Sequence, residues 1–88
     1  MENITKELSF LTEKAEVLKA MAHPVRLCIL KGLLTAGACN VTKIQGCLDL
    51  PQSTISQHLS KLRLVGLIKA NRQGLEVYYS IADDRIKN

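Results

Sequence analysis

Residues 52–65, QSTISQHLSKLRLV, are the stretch that decides the fold. At 100° per residue, Ile55, Leu59 and Leu62 cluster on one side of a helical wheel, which predicts a helix with one buried face. The opposite side is polar and free of acids, and short hydroxyl and amide side chains of this kind allow close approach to a DNA groove. This side carries Ser53, Gln57 and Ser60, with Ser56 on one flank and Thr54 and Lys61 on the other.

A short helix and a tight turn precede this stretch. Asn40 is a good N-cap for a helix over about residues 41–47, and Asp49, Leu50 and Pro51 then form a turn. Gly66 is placed to end the long helix. Residues 40–65 are therefore predicted to form a helix-turn-helix.

After Gly66 the hydrophobic period changes from helical to alternating. Residues 67–70 and 75–81 are predicted to be strands joined by a turn at 71–74, so that residues 67–81 form a basic hairpin, or wing. Lys69 and Arg72 flank the predicted turn and could reach phosphate or the minor groove. The alternative is an ordinary basic hairpin that protects a sheet edge. Asp83 and Asp84 could begin a last helix.

The N-terminal segment predicts a helix with two apolar stripes. A break at His23 and Pro24 separates it from a second helix over about residues 24–34. A chain this small cannot cover both stripes, so one is expected to face its own core and the other a second subunit. Residues 1–22 are thus the predicted dimerisation helix. The first stripe is Ile4, Leu8, Leu11, Ala15, Leu18 and Ala22, the second is Phe10, Val17 and Met21, and the predicted dimer contacts are Leu8, Leu11, Ala15 and Leu18.

The 88 residues are predicted to form one domain, mainly α with a small β-hairpin: a winged helix-turn-helix. Its net charge of +4 is concentrated in residues 17–75, where eight bases accompany one acid. A basic domain of this kind favours a polyanionic partner. No stretch approaches the ~18 apolar residues of a membrane helix, and the N-terminus does not resemble a signal peptide. We therefore expect an intracellular protein with no membrane partner.

The sequence does not predict an enzyme. His23 and His58 lack an orienting third residue, and paired carboxylates and a phosphate-binding glycine loop are absent from the sequence. No cofactor and no small-molecule ligand is evident. Cys28, Cys39 and Cys47 are an odd number without a CxxC or CxC motif, so they are expected to be buried, unpaired thiols.

Three segments together resemble the ArsR/SmtB family of bacterial transcriptional repressors, most closely its metal-independent, PagR-type members. They are AMAHPVRLCIL (20–30), LPQSTISQHLSKLRLVGLI (50–68) and NRQGLEVYYSI (71–81). The resemblance implies a homodimer in the bacterial cytoplasm, associated with the nucleoid, that represses transcription by binding an imperfect palindrome in a promoter. It also implies that Gln52 lies with Ser53, Ser56 and Gln57 toward the groove, and that Arg72 and Gln73 lie at the wing tip. The residues predicted to contact double-stranded DNA are Gln52, Ser53, Thr54, Ser56, Gln57, His58, Ser60, Lys61, Lys69, Arg72 and Gln73.

The family's metal sites are not matched. Metal-sensing members carry two cysteines within ExCxCxL, where this chain has Asn40 and Thr42, which cannot replace two thiolates on a soft metal. A second metal site of the family uses an Asp followed two residues later by a His. Asp83 matches the Asp, but Arg85 stands at the position of the His. Two alternatives to a simple repressor stay open. One is a repressor that responds to thiol chemistry through Cys28, Cys39 or Cys47, and the other is a winged helix that binds protein.

Overall fold

The computed structural model describes residues 4–82. Within that range the chain forms four helices and a three-stranded antiparallel sheet with strand order β1-β3-β2. The predicted fold class, mainly α with a small hairpin in a winged helix-turn-helix, is confirmed. In chain order the elements are α1 (Ile4–Met21), α2 (Pro24–Ala36), β1 (Cys39–Asn40), α3 (Val41–Leu48), α4 (Gln52–Leu64), β2 (Ile68–Gln73) and β3 (Glu76–Ile81).

Local signals in the sequence set the helix boundaries. The ring nitrogen Nδ1 of His23 accepts a hydrogen bond from the backbone N–H of Val25 at 3.1 Å and so caps α2. Asn40 Oδ1 accepts from the backbone N–H of Lys43 at 2.8 Å, which confirms the predicted N-cap of α3. Asp49 ends α3 in the left-handed conformation, with φ of 53°. Only Leu50 and Pro51 then separate Asp49 from the first residue of α4, so the turn into α4 is short.

One face of α4 is anchored in the core. Ile55, Leu59 and Leu62 are at most 1% exposed, as the helical wheel predicts. Truncating a leucine in such a position to Ala typically costs about 2–5 kcal/mol of stability. These side chains pack in one cluster with the buried residues Ile29, Leu30, Leu33, Cys39, Ile44, Leu67, Ile68 and Ile81. The anchoring fixes which side of α4 faces outward.

The first strand of the wing is longer, and the turn tighter, than predicted. Gln73 pairs with Glu76, so only Gly74 and Leu75 form the turn. The predicted turn at 71–74 is wrong, because Gly74 with φ of 65° permits a two-residue connection and lets the strands pair up to it. Lys69 pairs with Ser80, about 13 Å from the last strand pair, so the prediction that it flanks the turn is also wrong.

A short third strand was not predicted. Cys39 and Asn40 pair with Tyr79 and Tyr78 on the free edge of β3. Two residues carry no hydrophobic period, so the sequence gives no sign of this strand. Polar side chains join it to the wing: Asn40 Nδ2 donates to Glu76 Oε2 at 3.3 Å, and the Tyr78 hydroxyl donates to the same oxygen at 2.8 Å.

The two stripes of α1 have different environments. Val17 and Met21 pack against the core, as one of the two stripes was expected to do, but Phe10 of the same stripe is 57% exposed. The Lys14 ammonium lies 5.0 Å from the Phe10 ring centroid. In the other stripe Leu8, Leu11 and Leu18 are each at least half exposed. The predicted helix start at Asp83 and Asp84 lies outside the described residues.

Candidate nucleic-acid interface

The outward face of α4 is polar from Ser53 to Lys61 and contains no acid, and the exposed Leu64 follows at its C-terminal end. Glu and Asp are absent from the whole of α4, and its last turn carries Lys61 and Arg63. Thr54 is half-buried at the edge of this face. On α4, the exposed residues of the predicted set are Gln52, Ser53, Ser56, Gln57, Ser60 and Lys61. Eight of the eleven predicted residues thus lie on α4, and all of them except His58 face outward or stand at the edge of the outward face, with donors and acceptors suited to base edges and phosphates.

His58 does not join this face. It is half-buried and turned toward α2, and its ring centroid lies 4.5 Å from that of His23. Its Nδ1 accepts a hydrogen bond from Arg26 Nε at 3.2 Å. At 100° per residue His58 lies nearer to the core side of α4 than Gln57 does, and the hydrogen bond from Arg26 holds it inward. The structure therefore places His58 beside Arg26 and His23, apart from the other predicted residues of α4.

Arg26 is a positioning residue that sequence reasoning missed. Its Nη1 donates to the carbonyl oxygen of Ala20 at 3.0 Å, near the end of α1, while its Nε donates to His58. One guanidinium therefore joins the end of α1 to the middle of α4. Only the fold brings position 26 beside position 58, so no pattern in the sequence could have found this link.

The pKa of His58 lies below its ordinary value. Burial of the ring is the largest cause, and the nearby charges of His23, Arg26 and Lys61 act in the same direction. Protonation would also remove the acceptor that Nδ1 offers to Arg26. The neutral ring is therefore the form that suits the folded protein.

Acidification is expected to destabilise the protein through His58. A folded-state pKa below the unfolded value of about 6.5 contributes stability above pH 6.5, and this contribution is lost as the pH falls through the folded pKa. Urea unfolding of wild type and His58→Gln at pH 7.5 and 5.0 measures it, because Gln keeps an acceptor for Arg26 but does not titrate. The variant should lose less stability than wild type, and equal losses would contradict the prediction.

The wing tip presents Arg72, Gln73 and Leu75. Arg72 and Gln73 are exposed, and Arg72 Nε donates to the carbonyl oxygen of Gly74 at 3.3 Å, which holds the guanidinium beside the turn. Leu75 is 97% exposed at the tip and was predicted only as the start of a strand. Lys69 lies at the base of the hairpin, so of the two predicted wing bases only Arg72 is near the tip.

The three thiols are unpaired, but two of them are exposed. Cys39 is buried as expected, whereas the expectation of burial is wrong for Cys28 and Cys47. These two lie on the outer sides of α2 and α3, where the chain leaves a surface cavity. Among residues 4–82, no three His, Cys, Asp or Glu side chains are close enough together to hold a metal ion. In the same range no helix is long and apolar enough to cross a bilayer.

Comparison with protein families places residues 21–70 in a family described as a helix-turn-helix domain. This match runs from the end of α1 through α4 into β2. Among curated proteins, the chain is similar to the transcriptional repressor PagR of Bacillus anthracis, with 52% identity over 92% of this chain and 81% of that protein.

Solved structures agree with the sequence match. The crystal structure of PagR superposes with a TM-score of 0.82 at 51% identity and covers 91% of each chain. A second similar structure is a homodimeric winged helix-turn-helix DNA-binding domain from Mycobacterium bovis, described as a possible ArsR-family transcriptional regulator. Its TM-score is 0.85 at 33% identity, over 93% of this chain and 75% of that one.

Proposed function

The chain belongs to the ArsR/SmtB family of winged helix-turn-helix transcriptional regulators, and we propose from that premise that it represses transcription by binding a palindromic promoter site as a homodimer. It is a DNA-binding regulator and not an enzyme. In this proposal it acts in the bacterial cytoplasm, on the DNA of the nucleoid.

The outward face of α4 is the observation that carries the proposal. Ile55, Leu59 and Leu62 hold the helix in the core, so the acid-free row of Ser53, Gln57 and neighbouring polar side chains projects from a rigid support. In helix-turn-helix proteins the second helix of the motif enters the major groove, where Gln can make two bonds to adenine. A helix that binds protein would expose an apolar patch at its centre, and here that position is polar.

The exposed stripe of α1 supports the homodimer. Leu8, Leu11 and Leu18 are at least half exposed in the protomer, and a two-fold interface pairs one such patch with its own copy. A two-fold dimer places its two recognition helices in successive major grooves, about 34 Å apart. A palindromic operator is the DNA counterpart of that symmetry.

Selection from a pool of randomised duplexes tests the proposal. The recovered sequence should be a palindrome with half-sites one helical turn apart. Fluorescence anisotropy should then show tighter binding to this operator than to scrambled DNA, with an affinity for both that falls as salt rises. Recovery of no preferred sequence, or binding that salt does not weaken, would contradict the proposal and favour a protein partner.

Metal ions are not expected to control the binding. The chain lacks the two-cysteine motif of the family's metal sensors, and Asn40 and Thr42 cannot replace it. Zinc or cadmium added to reduced protein should leave operator affinity unchanged in an anisotropy titration. A loss of affinity that Cys39→Ser abolishes would show that this thiol binds metal after all.

A further inference from the structure

A surface cavity of about 350 Å³ lies between α2, α3 and β1, apart from the outward face of α4. Its wall is mainly apolar, with Ile29 and Leu33 from α2 and Ile44 and Leu48 from α3. This volume is at the lower end of the range for small-molecule sites, which are concave and mostly apolar with a few polar groups. The cavity therefore has the size and lining to hold a small apolar group.

The charged side chains that line the cavity are all positive. Lys31 of α2 and Lys43 of α3 both line it and are both exposed, and Asp and Glu are absent from its lining. The remaining polar groups are the Thr35 hydroxyl and the cysteine thiols. Ammonium groups beside an apolar wall are complementary to a molecule with an apolar body and one anionic group.

On the side of the cavity formed by α2, one lining residue, Gly32, has no side chain. Gly32 lies inside α2, where glycine costs about 1 kcal/mol relative to Ala. A Cβ added there meets no atom within 4 Å, so close packing does not require the glycine. Because Gly32 lines the cavity, its missing side chain leaves space for an occupant.

All three cysteines of the chain line this one cavity. Cys28 and Cys47 are exposed and Cys39 is buried, so the thiols lie at different depths along its wall. Thiols are polarisable and behave as small apolar groups in packing. The two exposed thiols also serve as chemical reporters of the cavity that need no added label.

We propose that this cavity is a binding site for a small amphipathic anion, a medium-chain fatty acid. The apolar body lies against Ile29, Leu33 and Ile44, over Gly32, and the carboxylate pairs with Lys31 and Lys43. All of its lining residues come from one protomer, and the proposal does not depend on DNA binding. Its test is therefore made on the protein without DNA, and the outcome is separate from that of the proposed repressor function.

Decanoate is the probe, and alkylation of the thiols by iodoacetamide is the site-specific measurement. Mass spectrometry follows the rates at Cys28 and Cys47 with and without decanoate, and calorimetry measures the binding itself. When about nine-tenths of the protein is occupied, both rates should fall about tenfold, because only the free protein reacts. Decylamine, which has the same chain but a positive charge, should have no effect.

Two glycine variants form a matched pair. Gly32→Met fills the cavity without a backbone clash and should abolish both decanoate binding and thiol protection. Gly46→Met makes the same change in α3, where an added Cβ also meets nothing and the residue does not line the cavity, so it should bind decanoate like wild type. Circular dichroism checks that both variants are folded.

Three results would overturn the proposal. The first is the absence of decanoate binding to wild type, and the second is equal binding by the Gly32→Met variant. The third is that iodoacetamide does not alkylate Cys28 and Cys47 in the wild-type protein without ligand, but does alkylate them in a Leu18→Asp variant, which is expected to be monomeric. That result would mean that a second copy of the chain covers the cavity.

Discussion

Replacing Leu18 by Asp is expected to convert the protein from a homodimer into a folded monomer. Leu18 is 65% exposed on the protomer, so the substitution removes little from the protomer's own core. In a two-fold interface the change occurs twice and buries two carboxylates that have no partner. A cost of about 3 kcal/mol or more would raise the dimer dissociation constant more than about 100-fold.

Sedimentation at about 10 µM protein, where a modest dimer is still assembled, measures the change. Leu11→Asp, about two helical turns away on the same stripe, should have the same effect. Ser9→Asp is the matched control: it adds the same charge to an exposed position of α1 outside the stripe and should leave the dimer intact. A wild-type protein that sediments as a folded monomer at this concentration would refute the proposed dimer.

Loss of the dimer should also weaken operator binding, since each monomer contacts only one half-site.

A contrasting substitution tests the other stripe. Val17 packs against the core, so Val17→Asp should lower the stability of the protomer itself, seen as a reduced midpoint of urea unfolding. Val17 and Leu18 are adjacent in the sequence but lie on different sides of α1. Val17→Asp should therefore lower the stability of the protomer, whereas Leu18→Asp should remove the dimer.

The recognition helix could be predicted because its information is local. The spacing of Ile55, Leu59 and Leu62 identifies the buried face without any knowledge of what covers it. The N-cap at Asn40 is also local, since it depends on a side chain and a backbone group three residues apart. Features of this kind can be read from one sequence with no structure.

The features that were missed depend on distant parts of the chain. The inward position of His58 depends on Arg26, which is 32 residues away, and the strand at Cys39 exists only because β3 offers it a free edge. The wing turn was misplaced for a different reason. Asn71, Arg72 and Gln73 are all acceptable turn residues, and only the register set by Gly74 places them in a strand.

Gln57→Ala and Arg72→Ala are expected to weaken DNA binding in different ways. Gln57 is exposed on α4, and a bidentate contact to a base would make its loss cost roughly 1–3 kcal/mol on the operator but little on scrambled DNA. Arg72 is held at the wing tip, and loss of a phosphate contact should weaken both duplexes alike. It should also make the log–log salt dependence shallower by about one unit per contact.

Anisotropy titrations of both variants on operator and scrambled duplexes, at several salt concentrations, distinguish these roles. Lys6→Ala is the control for Arg72→Ala, because it removes one positive charge from an exposed site on α1 far from the wing. Net charge alone would make the two variants behave alike, whereas a phosphate contact changes the salt dependence of Arg72→Ala only. Equal weakening of both duplexes by Gln57→Ala would show that Gln57 does not contact a base, because only contacts to base edges distinguish one sequence from another.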